Sequence, residues 1–143
     1  MLRAGRDSDA AGFIALISTC WAEYPGCVFD LDGEVPELRA LASYFAAQDG
    51  ALWVAEEAGA VVGMVAVHPL PGTPDWEICR MYVAADQRGT GVAAALLGTA
   101  EAHARQAGAE VIRLWSDTRF TRAHRFYAKL GYVRQGPIRV LND

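Results

Sequence analysis

No stretch of this 143-residue chain is apolar for long enough to cross a membrane. A secretory leader is missing too: Met1-Leu2-Arg3 leads into polar residues where such a leader has its hydrophobic region, so a cytoplasmic protein with no membrane attachment is expected. Cysteine is scarce. Cys20, Cys27 and Cys79 are odd in number and lack the paired spacing of a zinc site, which predicts reduced thiols, no disulfide and no metal. Basic charge is also short, with 13 Lys and Arg against 17 Asp and Glu. With no recognised DNA- or RNA-binding module either, nucleic acid is not an expected partner. Repeats and low-complexity segments are absent, and the length leaves room for one domain, residues 1–143. What remains is an ordinary globular composition, 52% hydrophobic and 21% charged, able to build a core.

The apolar pattern predicts a short strand at Leu2 to Ala4, then a helix opened by Asp7, Ser8 or Asp9, with Phe13, Leu16, Ile17 and Cys20 along one stripe. A Gly/Pro/acidic loop follows from Tyr24 to Glu34. Pro36 suits the first turn of a second helix whose Leu38, Leu41, Ala42 and Phe45 face inward, with Gly50 near its end. Leu52 to Glu57 and Val61 to Val67 read as strands joined at Ala58-Gly59, and Trp76 to Val83 as a third. Val92 to Ala107 is a helix with Ala93, Leu96, Leu97, Ala100 and Ala104 on one face and Gly108 as its stop. A strand at Val111 to Trp115, a short helix at Arg122 to Leu130 and a weak strand at Tyr132 to Leu141 complete the order βααβββαβαβ. This is an α+β chain with a mixed, mostly antiparallel sheet.

Between the third meander strand and the long helix stands Asp86-Gln87-Arg88-Gly89-Thr90-Gly91-Val92-Ala93. Two glycines turn the backbone without a Cβ in the way and leave N–H groups free at a helix start, where the helix dipole favours an anion. A pyrophosphate fits such a junction. An ATP-type loop needs Gly-Lys-Ser/Thr, which does not follow Gly91. Gly89, Gly91 and Ala94 match G-x-G-x-x-A of a dinucleotide fold, but the next acidic candidate, Asp117, comes late and only 26 residues follow it, too few to complete a doubly wound sheet.

Arg88-Gly89-Thr90-Gly91-Val92-Ala93 instead resembles the Arg/Gln-x-x-Gly-x-Gly/Ala signature of the GNAT superfamily of acetyl-CoA-dependent N-acetyltransferases. The run from Ala123 to Tyr132 is similar to that family's C-terminal A-x-x-F-Y-x-x-x-G-F/Y motif, and the element order fits the GNAT fold, with helices on both faces of the sheet. The resemblance implies a sheet that splays between the strand before the phosphate loop and the strand after the long helix. It implies that backbone groups of Met81, Tyr82 and Val83 meet the pantetheine and acetyl carbonyl, while Arg88, Gly89, Thr90, Gly91, Val92 and Ala93 cradle the pyrophosphate. It also implies direct attack by an amine in a ternary complex, with Tyr127 beside the thioester as general acid and cofactor contact. On periodicity alone Tyr127 belongs to the apolar stripe of Ala123, Phe126 and Leu130. The family's usual asparagine seven residues before that tyrosine is Phe120 here. Asp117, Thr118 or Arg119 as a substitute contact, and Phe120 packing on the pantetheine, all stay open.

Glu77 is the candidate base, because the family often carries a glutamate on this strand; an edge charge is the competing reading. A glutamate in an apolar strand calls for a raised pKa or an ion pair with Arg80 or a neighbour. Strand alternation puts it in phase with Cys79, Met81 and Val83. His68, beside Pro69 at a strand end, and His103, on the long helix, are poorer candidates by position. From Arg113 to Arg139 seven basic residues stand against the single acid Asp117, which suits a polyanionic cofactor. On the acceptor side, Glu23, Asp30, Asp32, Glu34 and Glu37 occur with no Lys or Arg among them. The expectation is a small cationic amine held near Asp30, Asp32 or Glu34 between Trp21 and Tyr24; a solvated acidic loop is the other reading. Protein amino groups also remain open as acceptors. A non-catalytic acyl-CoA-binding module is the alternative function, and a homodimer through apolar residues near Trp53 or the last strand is open.

Overall fold

The computed structural model describes residues 1–23, 39–114, 121–129 and 132. Its elements are β1 (Leu2–Ala4), α1 (Ala10–Ala22), α2 (Leu41–Ala46), β2 (Ala51–Glu57), β3 (Ala60–Pro69), β4 (Asp75–Val83), α3 (Val92–Gln106), β5 (Val111–Leu114) and α4 (Thr121–Lys129). This reproduces the expected order through α4. The last expected strand, apart from Tyr132, lies outside the described residues, as do Pro36 and Leu38 of the second expected helix.

The five strands lie side by side in the order β1-β2-β3-β4-β5. All neighbours are antiparallel except β4 and β5, which the α3 crossover makes parallel. Alternation along β2, β3 and β4 sends apolar side chains to both faces, and each face is covered by helix. On one side Phe13, Leu16, Ile17 and Cys20 of α1 and Leu41 and Phe45 of α2 close over Leu52, Val54, Met64 and Ala66. On the other, Leu96, Leu97, Ala100 and Ala104 of α3 cover Ala55, Val65, Val67, Trp76 and Ile78. Leu96 and Leu97 are fully covered, each contributing about 1.5–3 kcal/mol of burial. Gly63 lets α3 lie close: a Cβ there would meet Leu96 Cδ1 at 2.8 Å.

Local chemistry explains the junctions. Ala58 (φ +49°) and Gly59 (φ +82°) form the two-residue turn between β2 and β3, both in the left-handed region that suits the strand twist. A turn at Asp7–Asp9 precedes α1, and the Asp9 carboxylate accepts from the Arg6 N–H at 2.9 Å while pairing with Arg3. At the far end of α3, Gly108 (φ +96°) donates to the Arg105 carbonyl and Ala109 to that of Ala104, a Schellman closure. Trp53, near which the sequence left a homodimer surface open, is partly exposed and makes a T-shaped contact with His103, with ring centroids 5.3 Å apart. No helix among the described residues is long and apolar enough to cross a membrane.

Candidate active site

Unlike its C-terminus, the N-terminus of α3 is left open. Gly91 holds its N-cap position at φ +91°, ψ −4°, and no side chain caps it. The preceding loop folds onto itself: the N–H groups of Arg88 and Thr90 donate to the carbonyls of Ala85 and Gln87, and the Thr90 hydroxyl also bonds Gln87. Among the described residues no acceptor takes the N–H groups of Gly89, Gly91, Val92 or Ala93. A Cβ built on Gly89 or Gly91 meets nothing within 4 Å, so open space lies over these amides. The result is a cluster of free donors at the positive end of a 15-residue helix, which is what a phosphate requires.

Arg88 itself is committed elsewhere. Its guanidinium donates to both carboxylate oxygens of Glu23, at 2.8 and 2.9 Å, and to the Val83 carbonyl at 3.3 Å. It thereby ties the end of α1 to the end of β4 beside the loop.

Immediately before the loop, β4 shifts register against β3. Its ladder with β5 covers Asp75–Ile78 against Val111–Leu114 only, so among the described residues Cys79 to Val83 run on with no β5 partner. On the β3 side, Ala66 pairs with Cys79 and Met64 with Tyr82, which leaves Arg80 and Met81 opposite the single residue Val65. Arg80 takes φ +53° at this bulge. The inserted residue shifts the alternation by one. Glu77 therefore stays in phase with Cys79, but Met81 and Val83 turn to the α3 face and Tyr82 to the α1 face. The sequence expectation that Glu77, Met81 and Val83 share a face is corrected by this bulge, which no glycine or asparagine announces.

Glu77 lies on the α1 and α2 face with its side chain 12% exposed, directly across the ladder from His68. His68 Nε2 is 3.6 Å from Glu77 Oε2, and His68 Nδ1 is 3.0 Å from the Pro69 carbonyl. The sequence expected an ion pair with Arg80 or a neighbour; the register brings His68 beside Glu77, a residue the sequence placed low as a base because strand register was invisible there. Burial, together with the Glu77 carboxylate, pushes the neighbouring Cys79 thiol up to about 12.

Tyr127 is half-buried on α4 among the residues of the α3 face, its ring 5.6 Å from Phe126 and 6.1 Å from Tyr132. Burial, with a smaller effect from Tyr82, raises the phenol well above its ordinary range, so it keeps its proton at neutral pH. Tyr132 in turn donates to Glu101 Oε2 at 2.7 Å, fastening this segment to α3. Trp21, the expected acceptor wall, donates through Nε1 to the Tyr82 hydroxyl at 3.1 Å, near the end of β4. Tyr24, Asp30, Asp32, Glu34, Asp117 and Phe120 lie outside the described residues.

The model of the acetyltransferase (GNAT) family matches residues 13–132. The chain belongs to the GNAT family. The aminoalkylphosphonate N-acetyltransferase of Salmonella typhimurium is 40% identical over 78 residues, 52% of this chain and 51% of that protein. N-acetyltransferase 8 of Mus musculus is 32% identical over 98 residues, 66% of this chain and 43% of that protein. The chain thus spans about half or less of the length of these relatives. A GNAT acetyltransferase structure from Staphylococcus aureus superposes with a TM-score of 0.81 at 19% identity, covering 92% of this chain and 82% of that one. The glucosamine-6-phosphate N-acetyltransferase of Arabidopsis thaliana does so at 0.75 and 16%, covering 99% and 97%. At such identities these likenesses establish the α+β GNAT fold alone.

GNAT proteins generally use acetyl-CoA as co-substrate, and the residues present here fit its polyanionic end: free amides at a helix start, with two left-handed glycines leaving the approach clear.

Proposed function

We propose that this GNAT chain transfers the acetyl group of acetyl-CoA to a primary amine by direct attack in a ternary complex. The observation that carries the reading is the uncapped α3 N-terminus, with its bare amides under open space, at the end of the loop that follows β4. Phosphate held at Gly89, Gly91, Val92 and Ala93 would leave the pantetheine arm to run along the end of β4, past the backbone of Met81, Tyr82 and Val83. The coenzyme supplies the activated acetyl group. The chain supplies the proton traffic and the fit.

Glu77 takes a proton from the incoming ammonium group, directly or through water, and frees the nitrogen lone pair. Tyr127, neutral because it is buried, gives its proton to the departing sulfur. Tyr82 and Trp21 line the approach from the α1 side, and the carboxylates at Asp30, Asp32 and Glu34, with Tyr24, favour a small cationic acceptor. The 40% identical relative is named for an aminoalkylphosphonate, which carries an amine together with an acidic group. The primary amine is the part common to both.

Thiol release from acetyl-CoA, followed across diamines, aminoalkylphosphonates, amino sugars, amino acids and peptide amino termini, tests the proposal. Turnover with at least one primary amine is expected, with Tyr127→Phe slowing it while acetyl-CoA still raises the melting temperature. A melt shift without turnover for any amine would favour the non-catalytic acyl-CoA-binding module. No melt shift at all would remove the cofactor assignment.

A further inference from the structure

We infer that His68 is a positioning residue that acts through Glu77, holding the proton that Glu77 removes from the acceptor; the inference rests on the acetyl-transfer reading above. The register makes the two residues direct partners on neighbouring strands, and both side chains are largely covered, at 15% and 12% exposure. The pair is therefore largely shielded from bulk water.

The ring's orientation decides what it can do. Nδ1 faces the Pro69 carbonyl at 3.0 Å, and a carbonyl only accepts, so Nδ1 carries the hydrogen. In the neutral ring Nε2 is then the lone-pair nitrogen, and it points at Glu77 Oε2 from 3.6 Å. Two acceptors face each other across a gap that one proton would close. With that proton on Nε2 the ring becomes an imidazolium donating at both nitrogens, to Pro69 on one side and to the carboxylate on the other.

The step balances without any further reactant. The N–H bond of the acceptor ammonium breaks and an O–H bond forms on Glu77. That O–H bond then breaks as Nε2–H forms on His68, which restores the carboxylate and leaves the charge as an ion pair. No electrons leave or enter. Among the described residues, the titratable and charged groups that face the pair include Cys79 and Arg80 on β4 and Arg113 on β5; the Arg113 guanidinium is held by Asp75 at 2.8 Å. From α2 the ring of Phe45 meets His68, with centroids 6.1 Å apart, and brings no charge.

The test uses the full chain with acetyl-CoA and an amine it turns over. His68→Gln should lower kcat about tenfold or more, leave KM for acetyl-CoA unchanged and move the acid limb of the kcat/KM profile to lower pH, since the proton that the native pair takes up on the imidazole has only the carboxylate to go to in the variant. His68→Gln combined with Glu77→Gln should be no slower than Glu77→Gln alone. A native pH profile in His68→Gln, or multiplying effects in the double variant, would overturn the inference. So would a lower melting temperature with no change in the profile, because that is a purely structural role. Nitrogen-15 NMR of the imidazole in the native protein decides the matter even where His68→Gln does not fold or no amine is acetylated. The Nδ1–H form, with a titration that changes in Glu77→Gln, supports the pair, and the Nε2–H form overturns it. Loss of turnover with every amine would fall on the acetyl-transfer reading, while the NMR result still judges the pair.

Discussion

Replacing Gly91 by alanine should separate the backbone role of the α3 start from its role in holding phosphate. Gly91 sits at φ +91° and an added Cβ touches nothing, so the folded-state penalty is conformational alone. An alanine in left-handed geometry costs about 1–2 kcal/mol. The loss of glycine's freedom in the unfolded chain offsets about 0.4–1 kcal/mol of this. The net, from near zero to about 1.6 kcal/mol, corresponds to a fall in Tm of no more than about 6 °C for a domain of this size. Gly72, at φ +77° and equally open in the β3–β4 connection, provides the control, since Gly72→Ala should destabilise by the same amount. The two differ in what their Cβ occupies. At Gly91 it enters the space over the free amides, and weakening even one hydrogen bond to a charged group costs about 1.5–3 kcal/mol, a loss of roughly tenfold to a hundredfold in acetyl-CoA affinity. At a coenzyme concentration a hundred times the native Kd, the native chain gains about 2.7 kcal/mol, while a variant binding tenfold more weakly gains about 1.4 kcal/mol. Melting curves of both variants with and without acetyl-CoA therefore read both quantities. Equal coenzyme stabilisation of Gly91→Ala and Gly72→Ala would refute the assignment of this helix start to phosphate.

Arg88 and Glu23 should behave as a strut: in a double-mutant cycle with Arg88→Gln and Glu23→Gln, urea unfolding should give a coupling of about 0.5–1 kcal/mol, modest because both side chains retain some exposure. Arg3 holds the Asp9 carboxylate below its ordinary range, so this carboxylate stabilises the fold above its unfolded pKa and loses that contribution as pH falls through its folded one. The urea midpoint of Asp9→Asn should consequently lie below native near neutrality, by about 1 kcal/mol or less, and converge on it in acid. Ala58→Asn, which creates an Asn-Gly turn at φ +49° and +82°, should raise the thermal midpoint by the equivalent of about 0.5–1 kcal/mol; an unchanged or lower Tm would contradict the turn geometry.

The helices and strands were legible because their signals are local. The stripe of Phe13, Leu16, Ile17 and Cys20 is buried as a stripe, Ala58-Gly59 turns where a hairpin was expected, and Gly108 stops α3. The glycine junction was legible too, since left-handed backbone and bare amides follow from Gly-Thr-Gly before an apolar helix. Other features depend on which strand residue faces which. The bulge at Arg80 carries no glycine, and it turns Met81 and Val83 away from the face of Glu77. The meeting of His68 with Glu77 depends on a register set across a connection of several residues, and that of Arg88 with Glu23 on how α1 lies against the end of β4.

The amino-acid order alone pointed to the family through two short motifs, and it determined the βαα-led topology and the left-handed glycine junction before α3, because these rest on periodicity or on the conformational freedom of a few neighbouring residues. Only tertiary packing decided which titratable groups stand together. Separations of a few ångströms between residues distant in the chain arise from strand register and helix docking, and these are settled by burial of the whole sheet rather than by any local run of residues.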